Sequence, residues 1–332
     1  MREPLDVLGL GNSLVDILTD ADDAFLSRHE MAKGAMTLID EDRAEALYGL
    51  IEHSTIISGG SAANTVVGVA SLGVSAAYIG KVKHDGLGET FRRDIKQVGV
   101  GFETHAALEG PATGRCFVFV TPDGERTMNT FLGASSYLAP ADIDEEVVRA
   151  ARIVYLEGYM WDRPDAKEAF RKAGRIARAA GARVALTLSD SFCVDRFRGE
   201  FIDLMRSGIV DTVFANTDEA LSLYETPHLH EAFDALAKEG VVAAVTRSEK
   251  GSIVIHGESR VEVPAFPISG LVDTTGAGDL YASGFLAGLA HGKDHAGCAR
   301  LGALAAAEVI QHVGARPMTN LRELADRHHL FG

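Results

Sequence analysis

The strongest constraint on the fold is a rhythm in the second half of the chain, where short apolar runs alternate with longer amphipathic ones. "ARIVYLEG", "ARVALTLS", "DTVFAN", "VVAAVTRS" and "GSIVIHG" read as strands. Between them, "DAKEAFRKAGRIARAAG" and "HLHEAFDALAKEG" carry apolar residues at helical spacing, and "AGCARLGALAAAEVIQH" predicts a last long helix. The first half repeats the pattern. "LDVLGLG" reads as a buried strand, "SAANTVVGVASLG" as a small-residue helix ended by Gly73, and "AAYIGKV" as the next strand. "DGLGETFRRDIKQVG" follows as a helix with Gly99 at its C-terminus. Strands and helices that alternate in this way build a mainly parallel sheet with crossover helices on both faces. No linker, repeat or low-complexity tract interrupts the pattern, so residues 1–332 are expected to form one doubly wound α/β domain.

Two stretches break the rhythm. From Ser13 to Asp40 and from Phe102 to Leu138, short alternating segments separated by turns replace it. "PDG" at Pro122 to Gly124 reads as a hairpin turn between "RCFVFV" and "RTMNTF". These stretches are expected to form a small β-sheet standing off the main one, either as a lid over residues 13–40 and 102–138 or as an edge decoration.

Charge and cysteine usage narrow the function. A formal net charge of −15 argues against a general binder of nucleic acid or membrane surface, whose affinity comes from Lys and Arg on phosphates. Cys116, Cys193 and Cys298 have neither metal-ligand nor redox spacing, which fits free thiols in a reducing compartment. The N-terminal segment does not read as a signal peptide, and no apolar run reaches the ~18 residues of a membrane span. A cytoplasmic protein without nucleic-acid or membrane partners is expected.

Chemistry concentrates in "DTTGAGDLYASGFLAG", Asp273 to Gly288. Gly276, Ala277 and Gly278 precede an apolar helix running to about Leu289. Amides at a helix N-terminus lack intrahelical partners and carry the positive end of the dipole, and glycines let phosphate oxygens approach them. Asp279 in the same turn would repel a bound phosphate, so it needs another task. A carboxylate beside an anion hole can take the proton of an attacking hydroxyl, as phosphoryl transfer to an alcohol requires. Taken alone, the same residues could simply cap a tightly packed helix.

The stretch resembles the "DTxGAGD" signature of the ribokinase-like (PfkB) carbohydrate and nucleoside kinases. "SGGSAANTVVGVASLGVSAAYIGKVKHDGLG", Ser58 to Gly88, resembles that family's glycine-rich N-terminal block, with Gly59, Gly60, Ser61 and Asn64. "NTDE", Asn216 to Glu219, matches its Asn-x-x-Glu. The likeness runs in the family's order from "GLGNSLVDI" to "GARP". A dinucleotide-binding reading of "GLGN" is poor, because "NSL" follows Gly11 and the Gly-x-Gly-x-x-Gly fingerprint is not completed.

The resemblance implies a ribokinase-like fold, ATP as phosphoryl donor and Mg2+. It implies that Asp279 is the general base and that the amides from Gly276 to Asp279 stabilise the transferring group. Asn216 and Glu219 would organise phosphate-bound Mg2+ through water, although alone they read as an ordinary helix cap. Thr246, Ser248 and Gly251 in "VTRSEKGS" would line the donor nucleotide. Asp273 and Thr275 would hold K+, with "AAAEVIQHVGARP" closing that site, and Asp273 could equally be a turn residue. Asn12 and Asp16 would read the acceptor's hydroxyls beside Gly59, Gly60 and Asn64.

Within the family, "DAFLSRHEMAKGAMTLIDED" resembles the N-terminal insertion of adenosine kinases, and "PATGRCFVFVTPDGERTMNTFLGASSYL" their Thr-Gly-x-Cys strand and arginine-bearing hairpin. By that match Cys116 lines the acceptor pocket, Arg126 approaches the phosphates, and Tyr159 and Phe192 flank a purine. Glu157 departs from it: adenosine kinases of the animal type have a small residue there and ribokinases an acidic one. The expected reaction is transfer of the ATP γ-phosphoryl group to the 5'-hydroxyl of adenosine. The alternatives are a ribokinase- or fructokinase-type sugar kinase and, in another class, a catalytically idle nucleoside-binding protein. A monomer and a homodimer are both compatible with the sequence.

Overall fold

The expected parallel sheet is present, with eight strands. The structure is a computed structural model and describes residues 4–331. In the first half, β1 (Leu5–Leu10) leads into β2 (Leu14–Asp20), α1 (Asp23–Arg28), β3 (Met36–Leu38), α2 (Glu41–Tyr48) and β4 (Thr55–Gly59). Next come α3 (Ser61–Ser71), β5 (Ala76–Ile79), α4 (Gly86–Gln97), β6 (Gly114–Val120), β7 (Arg126–Phe131) and α5 (Glu145–Ala150). The second half runs β8 (Ala151–Glu157), α6 (Pro164–Ala179), β9 (Arg183–Thr187), α7 (Ser191–Arg206), β10 (Thr212–Asn216) and α8 (Thr217–Leu223). It continues with α9 (Leu229–Lys238), β11 (Val242–Thr246), β12 (Ser252–His256) and β13 (Ser259–Val263). It ends with α10 (Ala277–Ala290), α11 (His295–Val309) and α12 (Leu321–Arg327).

The large sheet has the order β13-β12-β11-β10-β9-β8-β1-β5. It is parallel from β11 to β5 and antiparallel at the β12 and β13 edge. Both faces of its inner part are covered, so β1, β10 and β11 are almost wholly apolar, whereas the edge strand β13 exposes Ser259, Arg260 and Glu262. In β1, Val7 faces the core made with α3, α10 and α11, while Leu8 and Leu10 face the core under α6 and α7. The helices α10 and α11 approach closely through small residues: a Cβ on Gly288 would lie 2.7 Å from Cys298 Cα. Sequence reasoning missed α7, whose "SFCVDRFRGEFIDLMR" is interrupted by Gly199 and exposed charges and lacks a tidy apolar repeat.

The smaller sheet has the mixed order β3-β7-β6-β2-β4. The turn at Pro122–Gly124 does join antiparallel neighbours, with Val120 opposite Arg126. Its extent differs from the expected 13–40 and 102–138. The fifth strand, β4, comes from Thr55–Gly59, and 102–113 supplies none of the sheet's strands, Ala107 instead bridging to Lys83. Five residues without alternation could not reveal to which sheet β4 belongs.

Candidate active site

The parallel strands end on one side of the large sheet, where α/β proteins place their ligands, and the smaller sheet stands over that side. Between them lies a cavity of about 1540 Å³. Of the residues singled out from sequence, all but Gly59 and Asp273 line it. Gly59 lies beside it, where a Cβ would collide with the Asp16 carboxylate. The cavity therefore brings together motifs more than 200 positions apart, as in the bond from Ser61 to Asp279.

Asp279 sits in the first turn of α10, whose cap residue Gly276 has φ of 80°. A Cβ at Gly276 would lie 2.7 Å from Ala315 Cα, so the turn requires glycine for both conformation and space. The Ala277 amide turns back to Thr274 O (3.1 Å), whereas those of Gly276, Gly278 and Asp279 have no acceptor among the described residues. They form the free part of the expected anion hole. Asp279 Oδ1 accepts from Ser61 Oγ (2.6 Å) and Oδ2 from Asn64 Nδ2 (3.1 Å). Burial pushes its pKa up to about 6 and those two bonds oppose the rise, so the group is a carboxylate at neutral pH yet basic enough to accept a proton.

On the acceptor side, Asp16 of β2 also has its pKa raised to about 6 by burial, against the fields of Arg316 and Arg126. Cys116 opposite it in β6 accepts from Thr130 Oγ1 (3.2 Å), and burial pushes its thiol to about 12, so it is an inert wall rather than a nucleophile. Tyr159 donates its hydroxyl to Ser189 O (3.3 Å). Phe192 stands at the mouth, 62% exposed, under the Arg196 guanidinium.

Glu157 lines the cavity, but both of its oxygens are engaged by the protein. Its Oε1 accepts from Asn12 Nδ2 (2.7 Å), and Oε2 from Ala62 N (2.8 Å) and Asn12 N (3.3 Å). Burial raises its pKa to about 7 despite those bonds. The Asn12 amide then accepts from Ser135 Oγ (2.8 Å), just past β7. Glu157 thus fixes the crossing from β1 into the smaller sheet and the return from β4 into α3, a task that its single position in the sequence could not announce.

On the donor side, Asn216 and Glu219 form a reciprocal cap of α8: Asn216 Oδ1 accepts from Glu219 N (2.8 Å), and Glu219 Oε2 from Asn216 N (3.1 Å). Asn216 Nδ2 also donates to Glu219 Oε1 (2.6 Å). Burial raises the pKa of Glu219 to about 7, a charge that a nearby cation would stabilise. No group of three or more His, Cys, Asp or Glu could hold a metal among the described residues. The donor set therefore suits Mg2+ held by phosphates and water with one carboxylate behind it, the usual state of that ion. Thr246 donates to Ala215 O (3.4 Å), and Ser248 and Gly251 form the turn beyond β11, both at positive φ.

Asp273 accepts from Thr275 N (3.0 Å) and Gly314 N (2.9 Å), and its Oδ2 lies 3.0 Å from Arg126 Nη1 of the smaller sheet. Arg126 is thus the counter-ion of Asp273, the residue expected from the sequence to hold K+. Sequence reasoning missed Arg316, whose guanidinium donates to Asn64 Oδ1 (3.3 Å) and Ser58 Oγ (2.7 Å). A lone arginine in "GARP" carries no spacing signal that ties it to Asn64.

Similarity to known proteins identifies the family. The model of the pfkB family carbohydrate kinases matches residues 36–321, and the chain belongs to that family. Such proteins transfer a phosphoryl group to a hydroxyl, with ATP as the donor and typically Mg2+. A crystal structure of adenosine kinase from Sinorhizobium meliloti is 52% identical, with TM-score 0.91 over 98% of this chain and 99% of that one. A probable sugar kinase from Rhizobium etli CFN 42 is 51% identical, with TM-score 0.92 over 99% and 100%. Adenosine kinase of Saccharomyces cerevisiae is 28% identical over 337 residues, covering 95% of this chain and 96% of that protein. The chain is an adenosine-kinase-like phosphotransferase of the ribokinase-like fold, and among its described residues no helix is long and apolar enough to cross a membrane.

Proposed function

We propose that the chain phosphorylates adenosine at its 5'-hydroxyl, with ATP as donor and AMP and ADP as products, in the cytoplasm. The observation that carries this reading is Asp279, held by Ser61 and Asn64 at the end of a helix with free N-terminal amides. The carboxylate faces a cavity shared with Asp16 on one side and Glu219 on the other. The likeness to the Sinorhizobium adenosine kinase supports the choice of acceptor.

Asp16 and Asn12 bind the ribose hydroxyls, and Tyr159 and Phe192 supply aromatic faces to the purine. Asp279 takes the proton of the 5'-hydroxyl as that oxygen bonds to the γ-phosphorus and the bond to the β-phosphate oxygen breaks. The amides of Gly276, Gly278 and Asp279 stabilise charge on the transferring group. Arg126 leaves Asp273 to meet the phosphates, and Thr246, Ser248 and Gly251 hold the nucleotide. Asn216 and Glu219 would hold Mg2+ through water, and the ion would neutralise phosphate charge. Asp273 and Thr275 would hold K+ with Arg126 turned away from Asp273. The smaller sheet serves as a lid that excludes water from competing as acceptor.

The second reading is a sugar acceptor, favoured by the likeness to the Rhizobium protein. Glu157 no longer supports it, because its oxygens serve Asn12 and Ala62. The test is ADP release with ATP and Mg2+, comparing adenosine, ribose and fructose, with and without K+. Release with adenosine is expected. Release with a sugar alone would replace the acceptor, and no release with any would leave a binding protein.

A further inference from the structure

The loop after α11 presents Arg316, a cation that the proposed reaction leaves without a task. Two carboxylates pin the loop. Gly314 N donates to Asp273 Oδ2 (2.9 Å), while Met318 N (3.0 Å) and Thr319 N (2.9 Å) donate to Glu308 Oε1. Ala315 packs on Gly276 at the start of α10. Between these anchors Arg316 runs inward behind the cavity wall, its Nε on Asn64 Oδ1 and its Nη1 on Ser58 Oγ of β4. A buried guanidinium with specific partners on two elements and a loop built to hold it calls for a role.

That role follows from the chemistry of an amide. Asn64 has an acceptor end and a donor end, a guanidinium can only donate, and an ionised carboxylate can only accept. With Arg316 on Oδ1, Nδ2 must face Asp279, where it lies 3.1 Å from Oδ2. Flipped, Asn64 would set its NH2 against the guanidinium and its carbonyl against the carboxylate. We propose that Arg316 is a positioning residue for phosphoryl transfer: it locks the Asn64 amide so that its NH2 always donates to Asp279, keeping the base ionised and aimed at the acceptor hydroxyl. This rests on the reading of Asp279 as the base.

Losing Arg316 frees Asn64 to turn, and Asp279 loses a donor that favours its charged form, so its pKa rises. The other groups facing Asp279 are Ser61 of α3, Asp16 of β2, Tyr155 and Glu157 of β8, and Tyr159 beyond it. All remain in an Arg316 variant. Asp16 also loses the field of Arg316, which alters acceptor KM, so the decisive quantity is kcat at saturation.

The experiment is a double-mutant cycle of Arg316→Met and Asn64→Ala, measured as kcat from pH 5 to 8.5 with whichever acceptor the wild type phosphorylates. Each single change should lower kcat about 10- to 100-fold, the scale of a misoriented catalytic group. The double variant should be within about twofold of the weaker single one, because both changes remove the same interaction. The acid limb of the Arg316→Met profile should move to higher pH, which a merely structural arginine would not cause. If thermal melting shows that Arg316→Met does not fold, Arg316→Lys takes its place in the cycle. An ammonium lacks the planar fork that holds both acceptors in fixed directions, and a loss of about 3- to 10-fold, again absent beside Asn64→Ala, is expected. Losses that multiply, an unmoved acid limb, or a kcat within about twofold of wild type would overturn the proposal. A wild type that turns over no acceptor overturns the proposed function itself, and that result is visible before any variant is made.

Discussion

The two sheets meet the cavity in different ways. The large one offers the ends of its strands and the N-terminus of α10, so its contribution is backbone amides and the groups at strand and helix ends, Asp279 and Glu219 among them. The smaller one lies across the opening and offers side chains, Asp16 and Cys116 from inside its strands and Arg126 from the start of β7. The first arrangement is rigid because both faces of that sheet are packed. The second packs one face on the core it shares with α3 and α10, and polar ties from Arg316 to Ser58 and from Arg126 to Asp273 join it to the large sheet's side. In the proposed reaction the large sheet's side carries the chemical step and the smaller sheet carries recognition.

The sharpest way to break this division is at Asp279. Asp279→Asn keeps the size and one acceptor oxygen but cannot take a proton, and kcat should fall about 10²–10⁴-fold, the range for a positioned general base. Steady-state turnover with acceptor binding measured in parallel checks it. A near wild-type kcat would move the base elsewhere. The matching change in the other sheet is Asp16→Ala, which should weaken acceptor binding about 10- to 100-fold, as for lost hydrogen bonds to a charged group. Calorimetry reads the affinity, and kcat at saturation should fall less than affinity does. Equal losses in both would erase the contrast between the sheets.

The large sheet was legible because a strand buried on both faces is an uninterrupted apolar run, and the helices between such runs repeat at about 3.6 residues. Its functional ends were legible for a related reason: glycines and single carboxylates stand out against apolar surroundings at Gly276 to Asp279. The smaller sheet was visible only as a break in rhythm, and β4 was hidden because Thr55–Gly59 carries no alternation. The contacts that join the parts were not legible. Glu157 with Asn12, Arg126 with Asp273 and Arg316 with Asn64 are pairs brought together by the chain's return over separations of 145, 147 and 252 residues, and nothing local marks either partner.

A smaller effect concerns how the anion hole is held. Gly276→Ala places a Cβ in a left-handed turn and against Ala315, so strain and overpacking add. The expected cost is about 2–5 kcal/mol. Thermal melting should show it, together with a lower kcat because the amides shift. An unchanged melting temperature would mean that the turn relaxes, and the large sheet's side would be less rigid than the packing implies.

The smallest expected effect separates stability from activity in one residue. Burial raises the pKa of Asp279 from 3.8 to about 6, so between those values the folded protein binds a proton that the unfolded chain has released. Stability from this group is therefore complete below about pH 4 and is lost as the pH rises through about 6. Activity runs the other way, since the base must be ionised, and kcat should fall about tenfold per unit below pH 6. Asp279→Asn removes the titration. Its melting temperature relative to wild type should thus rise between pH 5 and 7.5, by an amount corresponding to about 1–2 kcal/mol once access to cavity water is allowed for. The variant would then gain stability on the wild type from pH 5 to 7.5 while nearly inactive at pH 7.5. A difference that stays flat with pH would show that Ser61 and Asn64 already offset the desolvation of the carboxylate, and the poise of the base would have to come from the substrates themselves.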